Sequence, residues 1–388
     1  MSLLTKQQEK LVQRARDFVQ TELLPLEKEV EKSGGISSES SNEIIRKSRQ
    51  EGLFAANIDR RFGGGGLTTL DNVLLQEQFG ATKEILARRA AGNIYECIKE
   101  GTAEQIERFL IPSIRGDRHS ALAVSEPEAG SDAASITTRA VRCDAGWILN
   151  GRKYFISDAD FCDYFIVAAV TQPDLGPRGI SLFLVDRSQQ GFSYGKSFNM
   201  LGFKGTTHRE LIFNNLILGK DALLGEENDG FRILGDTLGK ARLSKVGARA
   251  IGKCHRLLYL MKKHAQDRQQ FSKALIDFGQ IKQMIVDSNI EISAARALLL
   301  QTAKEIDTGL DSRAAISQVK ILATETLGRV ADRAVQVFGA SGCHDEEVIE
   351  SFYRDARLYR IIDGTSEIHM NIIAKGLKRS VGPCFVAS

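Results

Sequence analysis

The first third of the chain carries a helical alternation of apolar and polar positions. Thr5-Lys-Gln-Gln8 has the form of a capping box. Leu11, Ala15, Phe18, Val19 and Leu23 follow at helical spacing, and Pro25 is expected to end that helix. Ser41 to Gln50 predicts a second helix closed by Gly52, and Gly63-Gly-Gly-Gly66 a flexible turn. Helical patterns run again from Leu70 to about Arg115, with interruptions near Gly92 and Gly101. From His119 to about Leu224 the texture changes to short β-branched and aromatic runs separated by turn residues. Phe165–Val170 and Ile180–Val185 read as buried strands, and Glu210–Phe213 as another. Asn150-Gly151, flanked by Trp147-Ile-Leu149 and Tyr154-Phe-Ile156, predicts a hairpin turn. After Gly230 the helical period returns. Ile281, Ile285, Ile292, Ala295 and Leu299 line one face of a long helix, Ala314–Gly339 gives a second and Ile368–Leu377 a third. Helices, then a β module, then helices predict three modules, at residues 1–118, 119–228 and 229–388.

Composition narrows the class of function. A chain of 388 residues exceeds one ordinary core, and 43% apolar with 26% charged residues is globular usage. A formal charge of +3 gives no support to nucleic-acid binding, yet is compatible with an acidic ligand such as a phosphate-bearing thioester. The six cysteines are scattered, without CxxC or His-Cys clustering, so reduced thiols are expected, with no disulfide framework and no metal. The N-terminus has no apolar signal core, and no run approaches the ~18 apolar residues of a membrane span. A cytoplasmic protein without a membrane span is the expectation.

Several stretches carry candidate chemistry. Val124-Ser-Glu-Pro-Glu-Ala-Gly-Ser-Asp132 has small residues that allow close backbone approach to a ring, and its Ser125 and Ser131 hydroxyls suit polar ring edges. Tyr154-Phe-Ile-Ser-Asp158, Leu201-Gly-Phe-Lys-Gly-Thr-Thr-His208, Arg268-Gln-Gln-Phe271 and Gln336-Val-Phe-Gly-Ala-Ser-Gly342 follow, and Tyr353-Arg-Asp-Ala-Arg357 precedes Asp363-Gly-Thr-Ser-Glu367. In this order these stretches resemble the signatures of the acyl-CoA dehydrogenase family, and the resemblance covers essentially the whole chain.

The resemblance implies an α-helical N-terminal domain, a central antiparallel, barrel-like β-domain and a C-terminal four-helix bundle. It implies FAD as cofactor and dehydrogenation of an acyl thioester, carried on CoA or on an acyl carrier protein. It further implies an electron-transfer flavoprotein or similar acceptor, and a homotetramer, with a homodimer as the alternative. Residue by residue, it implies flavin contacts from Ser125, Ser131, Phe155 and Ser157. Arg268 would pair with the flavin pyrophosphate of a neighbouring subunit, Phe271 would be a further cofactor contact, Gln336 and Gly339 would meet the ADP part of FAD, and Thr365 and Glu367 its adenosine side. Ser131, Arg242 and Gly364 would contact substrate, and Asp363 would be the base. The charges of the Arg354–Arg357 run would be mainly structural, orienting the last loop.

The chain departs from the family pattern at Gly239, Ser272, Gly279, Ala340 and Asp363. Asp stands where most members have Glu, so its oxygens fall short by about 1.5 Å. Either the backbone advances, or the substrate sits deeper or is unusual, or the chain runs another reaction. Ala241 occupies the position at which some relatives place their base, which leaves Asp363 as the candidate. Oxidation of an atypical or carrier-bound substrate, and a flavin-bearing scaffold without turnover, remain as alternatives.

Overall fold

The structure is a computed structural model that describes residues 4–310, 312–344 and 348–379. Its contacts separate two compact units. One comprises Met1–Val19, Thr68–Thr82 and Gly239–Ser388, the other Gln20–Leu67 and Lys83–Leu238.

The second unit is built on an eight-stranded sheet: β1 (Ser120–Ala123), β2 (Arg139–Cys143), β3 (Gly146–Ser157), β4 (Tyr164–Val170), β5 (Ile180–Asp186), β6 (Phe192–Ser197), β7 (His208–Gly219) and β8 (Leu223–Leu224). The strand order is β6-β7-β3-β2-β4-β5-β8, with β1 beside β4. The β1–β4 and β2–β4 pairings are parallel and the others antiparallel, so the largely antiparallel central sheet is mixed. Both faces of β4 and β5 are covered. Phe165, Val167, Phe183 and Val185 enter one apolar cluster, and Tyr164, Ile166, Leu182 and Leu184 enter another with Phe54, Ile98 and Phe109 from the helical segments. This two-sided burial explains why these strands read as unbroken apolar runs. The Gly63–Gly66 segment is a locked turn, not a flexible one: the amides of Gly63, Gly64, Gly65 and Gly66 donate to Arg60, Asp59, Ala55 and Ile58.

Asn150-Gly151 is not a hairpin turn. It lies within the twelve-residue strand β3, opposite a bulge at Asn214-Asn215 of β7. The Asn150 side chain accepts the Asn215 amide (2.8 Å), and a Cβ on Gly151 would lie 2.4 Å from Thr138 Oγ1. The tight turn sits at Asp144-Ala145, where Cys143 pairs with Gly146. A second bulge, at Tyr154-Phe155 of β3, has the opposite sense and restores the register with β7.

In the first unit, the Arg313–Phe338 helix packs against the helices Arg249–Asp267, Gly279–Asp307, Val348–Tyr359 and Ser366–Arg379. The helices Lys6–Phe18 and Thr69–Phe79 also pack together, the former opened by the expected Thr5–Gln8 capping box. Buried cations are satisfied locally. Lys253 donates to Thr82 O (2.6 Å) and lies 3.6 Å from Asp355, and Arg249 donates to the Gln76 side chain (2.8 Å). Among the described residues Cys97, Cys143, Cys162, Cys254 and Cys343 are unpaired, and no helix is long and apolar enough to cross a membrane.

Candidate active site

In the sheet unit, the Val124–Asp132 loop is held at its base by one buried ion pair. The Glu126 carboxylate accepts from Lys153 Nζ (2.7 Å), the Thr137 amide (2.6 Å) and hydroxyl (2.8 Å), and the Thr138 amide (3.0 Å). Lys153 also donates to Val124 O (3.0 Å), and the Tyr154 amide donates to Ser125 O (2.8 Å). Burial works to raise the Glu126 carboxyl, but Lys153 and the threonine donors hold it down at about 2. Burial lowers the Lys153 ammonium to about 8 against the pull of Glu126. The pair fixes Ser125 beside β3, half-buried, and leaves Ser131 exposed at the far end of the loop.

The β3 bulge places two consecutive side chains on the outer face. Phe155 has φ +57°, is 49% exposed and lies 4.5 Å from the Phe198 ring. Ser157 pairs with His208 in the ladder. Asp158 closes the strand at φ +63°, buried, with a 2.9 Å hydrogen bond from Arg89, whose guanidinium lies 3.5 Å over the Phe161 ring. Burial opposes the Asp158 charge, and the Arg89 hydrogen bonds hold its carboxyl below the usual range. The Leu201–His208 stretch forms a tight turn, with the Thr206 amide on Phe203 O (2.9 Å).

In the helical unit, Asp363 and Gly364 form a left-handed turn (φ +53° and +99°) before the Ser366–Arg379 helix. The Asp363 carbonyl accepts from Arg242 Nε (2.7 Å) and faces His369 Nε2 (3.3 Å). Arg242, Asp363 and Gly364 therefore come together. Burial lowers the Arg242 guanidinium, while the Asp363 charge opposes the shift. Thr365 caps the following helix, its hydroxyl accepting the Ile368 amide (3.3 Å), and Glu367 projects into solvent. The Arg354–Arg357 run anchors the preceding helix: Arg354 pairs with Glu350 (2.7 Å) and Asp355 is buried beside Lys253, while Arg357 is exposed.

Arg268 and Phe271 lie on a small hairpin, Gln269–Gln270 paired with Lys273–Ala274. Phe271 and Ser272 form its two-residue turn, both at positive φ, and Phe271 is 90% exposed. Gln336 and Gly339 are exposed at the end of the Arg313–Phe338 helix, where Gly339 (φ +63°) donates to Gln336 O. The His264 ring stacks 4.2 Å from Phe338, so the segments carrying Arg268 and Gln336 end side by side.

Sequence reasoning missed what holds these elements. Glu325 accepts from Arg360 Nε (2.8 Å) and Ser366 Oγ (2.7 Å), and Lys320 Nζ donates to Arg360 O (3.0 Å). The available signal was Lys320 itself, a cation on the buried stripe that contains Val319, Ala323 and Leu327.

Three family models match the chain: acyl-CoA dehydrogenase N-terminal domain over residues 5–117, middle domain over 121–216 and C-terminal domain over 228–378. The CarC subunit of the caffeyl-CoA reductase-Etf complex of Acetobacterium woodii is 34% identical, over 95% of this chain and 97% of its own. The butyryl-CoA dehydrogenase of Megasphaera elsdenii superposes with TM-score 0.90 at 29% identity, covering 98% of this chain and 100% of its own. The FAD complex of PigA superposes with TM-score 0.90 at 26% identity, covering 97% and 99%. Sequence and fold thus agree over nearly the full length of both partners, and the chain is an oxidoreductase that belongs to the acyl-CoA dehydrogenase family.

Proposed function

We propose that this chain binds FAD and catalyses flavin-dependent α,β-dehydrogenation of an acyl thioester, with Asp363 as the base. The observation that carries this reading is the Asp363-Gly364 turn. A carboxylate held on a constrained backbone by Arg242 is a base whose position is fixed before substrate arrives.

The residues present suit a large, flat ligand with polar edges and a diphosphate. Phe155 offers an uncovered aromatic face on the bulge, Ser157 follows it two residues on, Ser125 is held beside the bulge by the Tyr154 amide, and Ser131 offers an exposed hydroxyl at the far end of its loop. Arg268 is an exposed fork-shaped cation of the kind a diphosphate needs, and Gly339 at positive φ presents backbone without a side chain. FAD, when bound, supplies the acceptor for the β-hydride. Asp363 takes the α-proton onto a carboxylate oxygen. Its amide, which has no acceptor among the described residues, donates to the thioester oxygen as charge develops there. Arg242, Ser131 and Gly364 line the substrate, and Gln336, Phe271, Thr365 and Glu367 complete the cofactor contacts.

Arg268 and the bare ring of Phe271 would serve the flavin of a second copy, which supports a homotetramer, with a homodimer as the alternative. The likeness to a subunit of an Etf complex supports an electron-transfer flavoprotein as redox partner. The proposed modules are residues 1–118, 119–228 and 229–388.

Anaerobic mixing of the flavin-loaded protein with acyl-CoAs and acyl carrier-protein thioesters tests the proposal. Bleaching of the flavin by an acyl-CoA is expected, and bleaching by the carrier-linked series alone would move the assignment to a carrier-bound substrate. Asp363→Ala should abolish bleaching, and full retention would remove Asp363 as the base. Full bleaching by Asp363→Glu would establish that the shorter reach is not limiting.

A further inference from the structure

We infer that His369 is a positioning residue for the Asp363 base: from the first turn of the last helix, backed by Ser317, it holds the Asp363 peptide in its left-handed conformation. The inference rests on the assignment of Asp363 as the base and extends it to a residue that the reaction itself does not use.

A non-glycine residue at φ +53° is disfavoured by about 1–2 kcal/mol, so surrounding contacts must over-determine it. Two tiers do so. At the base of the turn the Ser366 amide donates to Arg360 O (3.2 Å), and Glu325 ties the Arg360 and Ser366 side chains together. At the tip, the Asp363 carbonyl meets Arg242 and the His369 ring.

The imidazole is fully buried, and its partners settle its form. A carbonyl can only accept, so Nε2 carries the proton toward Asp363 O. Nδ1 faces Ser317 Oγ, 3.0 Å away, whose single hydroxyl proton also reaches Arg313 O at 3.1 Å. Burial, with the Arg242 and Lys320 charges nearby, lowers the ring to about 4, so it stays neutral near pH 7. The fit is close on the other side as well. A Cβ on Gly364 would stand 3.0 Å from His369 Nε2, so the ring can reach the carbonyl only past a glycine. Turning this peptide would redirect both the Asp363 side chain and the amide proposed as the oxyanion donor, and a small angular change suffices to misplace a short carboxylate.

The test uses full-length, flavin-loaded protein with His369→Leu, His369→Gln and Ser317→Ala, beside Asp363→Asn as reference. The probe is whichever of a straight-chain, branched and aryl acyl-CoA series bleaches the wild type fastest. His369→Leu should lower kcat ~10–100-fold, the range of an ångström-scale misplacement. KM should stay within about threefold, because binding is untouched. His369→Gln can donate to the carbonyl and keep a polar group beside Ser317, and should restore most of the rate. Hydrogen exchange of the peptide spanning residues 358–368 should quicken up to about tenfold in His369→Leu, the value of one net hydrogen bond, and not in His369→Gln. Ser317→Ala should fall in between.

Unchanged kcat and exchange in His369→Leu, or equal losses in the Leu and Gln variants, would overturn the positioning role. Full activity in Asp363→Asn would instead overturn the base assignment. If no thioester bleaches the wild type, the exchange measurement still decides whether His369 holds the turn.

Discussion

Two turns in this protein present candidate site residues, and they are held by opposite means. The Val124–Asp132 loop is anchored by a carboxylate–ammonium pair, Glu126 and Lys153, buried in the sheet unit. The Asp363 turn is anchored through its backbone carbonyl by Arg242 and a neutral imidazole, which leaves the carboxylate free of any anchoring duty. A buried ion pair must be complete to be tolerated, because either charge alone is stranded. A carbonyl clamp has no such all-or-none character, and losing one donor weakens it by an ordinary hydrogen bond. The first device secures a fold around the loop. The second keeps a reactive group uncommitted.

The sharpest separation is expected from Asp363→Asn. Turnover should drop ~1,000-fold, within the span attributed to a general base, while the denaturation midpoint stays where it was. A large fall in stability would mean that the carboxylate is itself structural and would erase the contrast. Lys153→Met should do the reverse. It strands Glu126 and should cost about 3–5 kcal/mol in denaturant unfolding. Glu126→Leu in the same chain should recover much of that loss, and failure to recover would assign Lys153 another duty.

The imidazoles give a pH test. Burial lowers His369 and His208 to about 4, against an unfolded value of 6.5. Below pH 6.5 the unfolded chain takes up protons that the folded chain refuses, so stability present above 6.5 is lost as pH falls toward 4. Urea midpoints across that window should decline, and His369→Gln should flatten the decline.

The smallest effect concerns the Phe271-Ser272 turn. Both residues sit at positive φ, which Asn-Gly adopts readily, so replacing the pair should stabilise the chain by about 1 kcal/mol in thermal unfolding. If Phe271 serves a neighbouring copy's flavin, the same variant should lose cofactor on dilution, and unchanged flavin retention would remove Phe271 from that role.

Much of the architecture was legible in the sequence because it rests on periodicity. The long helices and the strands from Phe165 and Ile180 appear at the expected positions. The Asn150-Gly151 hairpin failed for a physical reason: residues that tolerate unusual backbone suit a bulge as well as a turn, and only the pairing partner Asn215 decides which. The four glycines at 63–66 misled similarly, since their freedom is used to place every amide on an acceptor. Asp363 stood out through its neighbours in sequence. Its supports did not, because Arg242, Ser317, Lys320 and Glu325 lie 38 to 121 positions away along the chain, and no local pattern reports which distant side chain a carbonyl will meet.

The opposed bulges of β3 and β7 constrain how this strand can tolerate insertions and deletions. A bulge holds one residue more than its partner strand opposes, so loss of one residue at Tyr154-Phe155 would leave Ile156 and Ser157 opposite Arg209 and His208 and would remove only one outward-facing side chain. Loss of one residue at Asn214-Asn215 would likewise leave Leu216 opposite Leu149 and Phe213 opposite Gly151. Single deletions are therefore tolerable at two points of this strand pair, 60 positions apart in sequence, whereas a deletion elsewhere in β3 or β7 turns the residues beyond it to the other face.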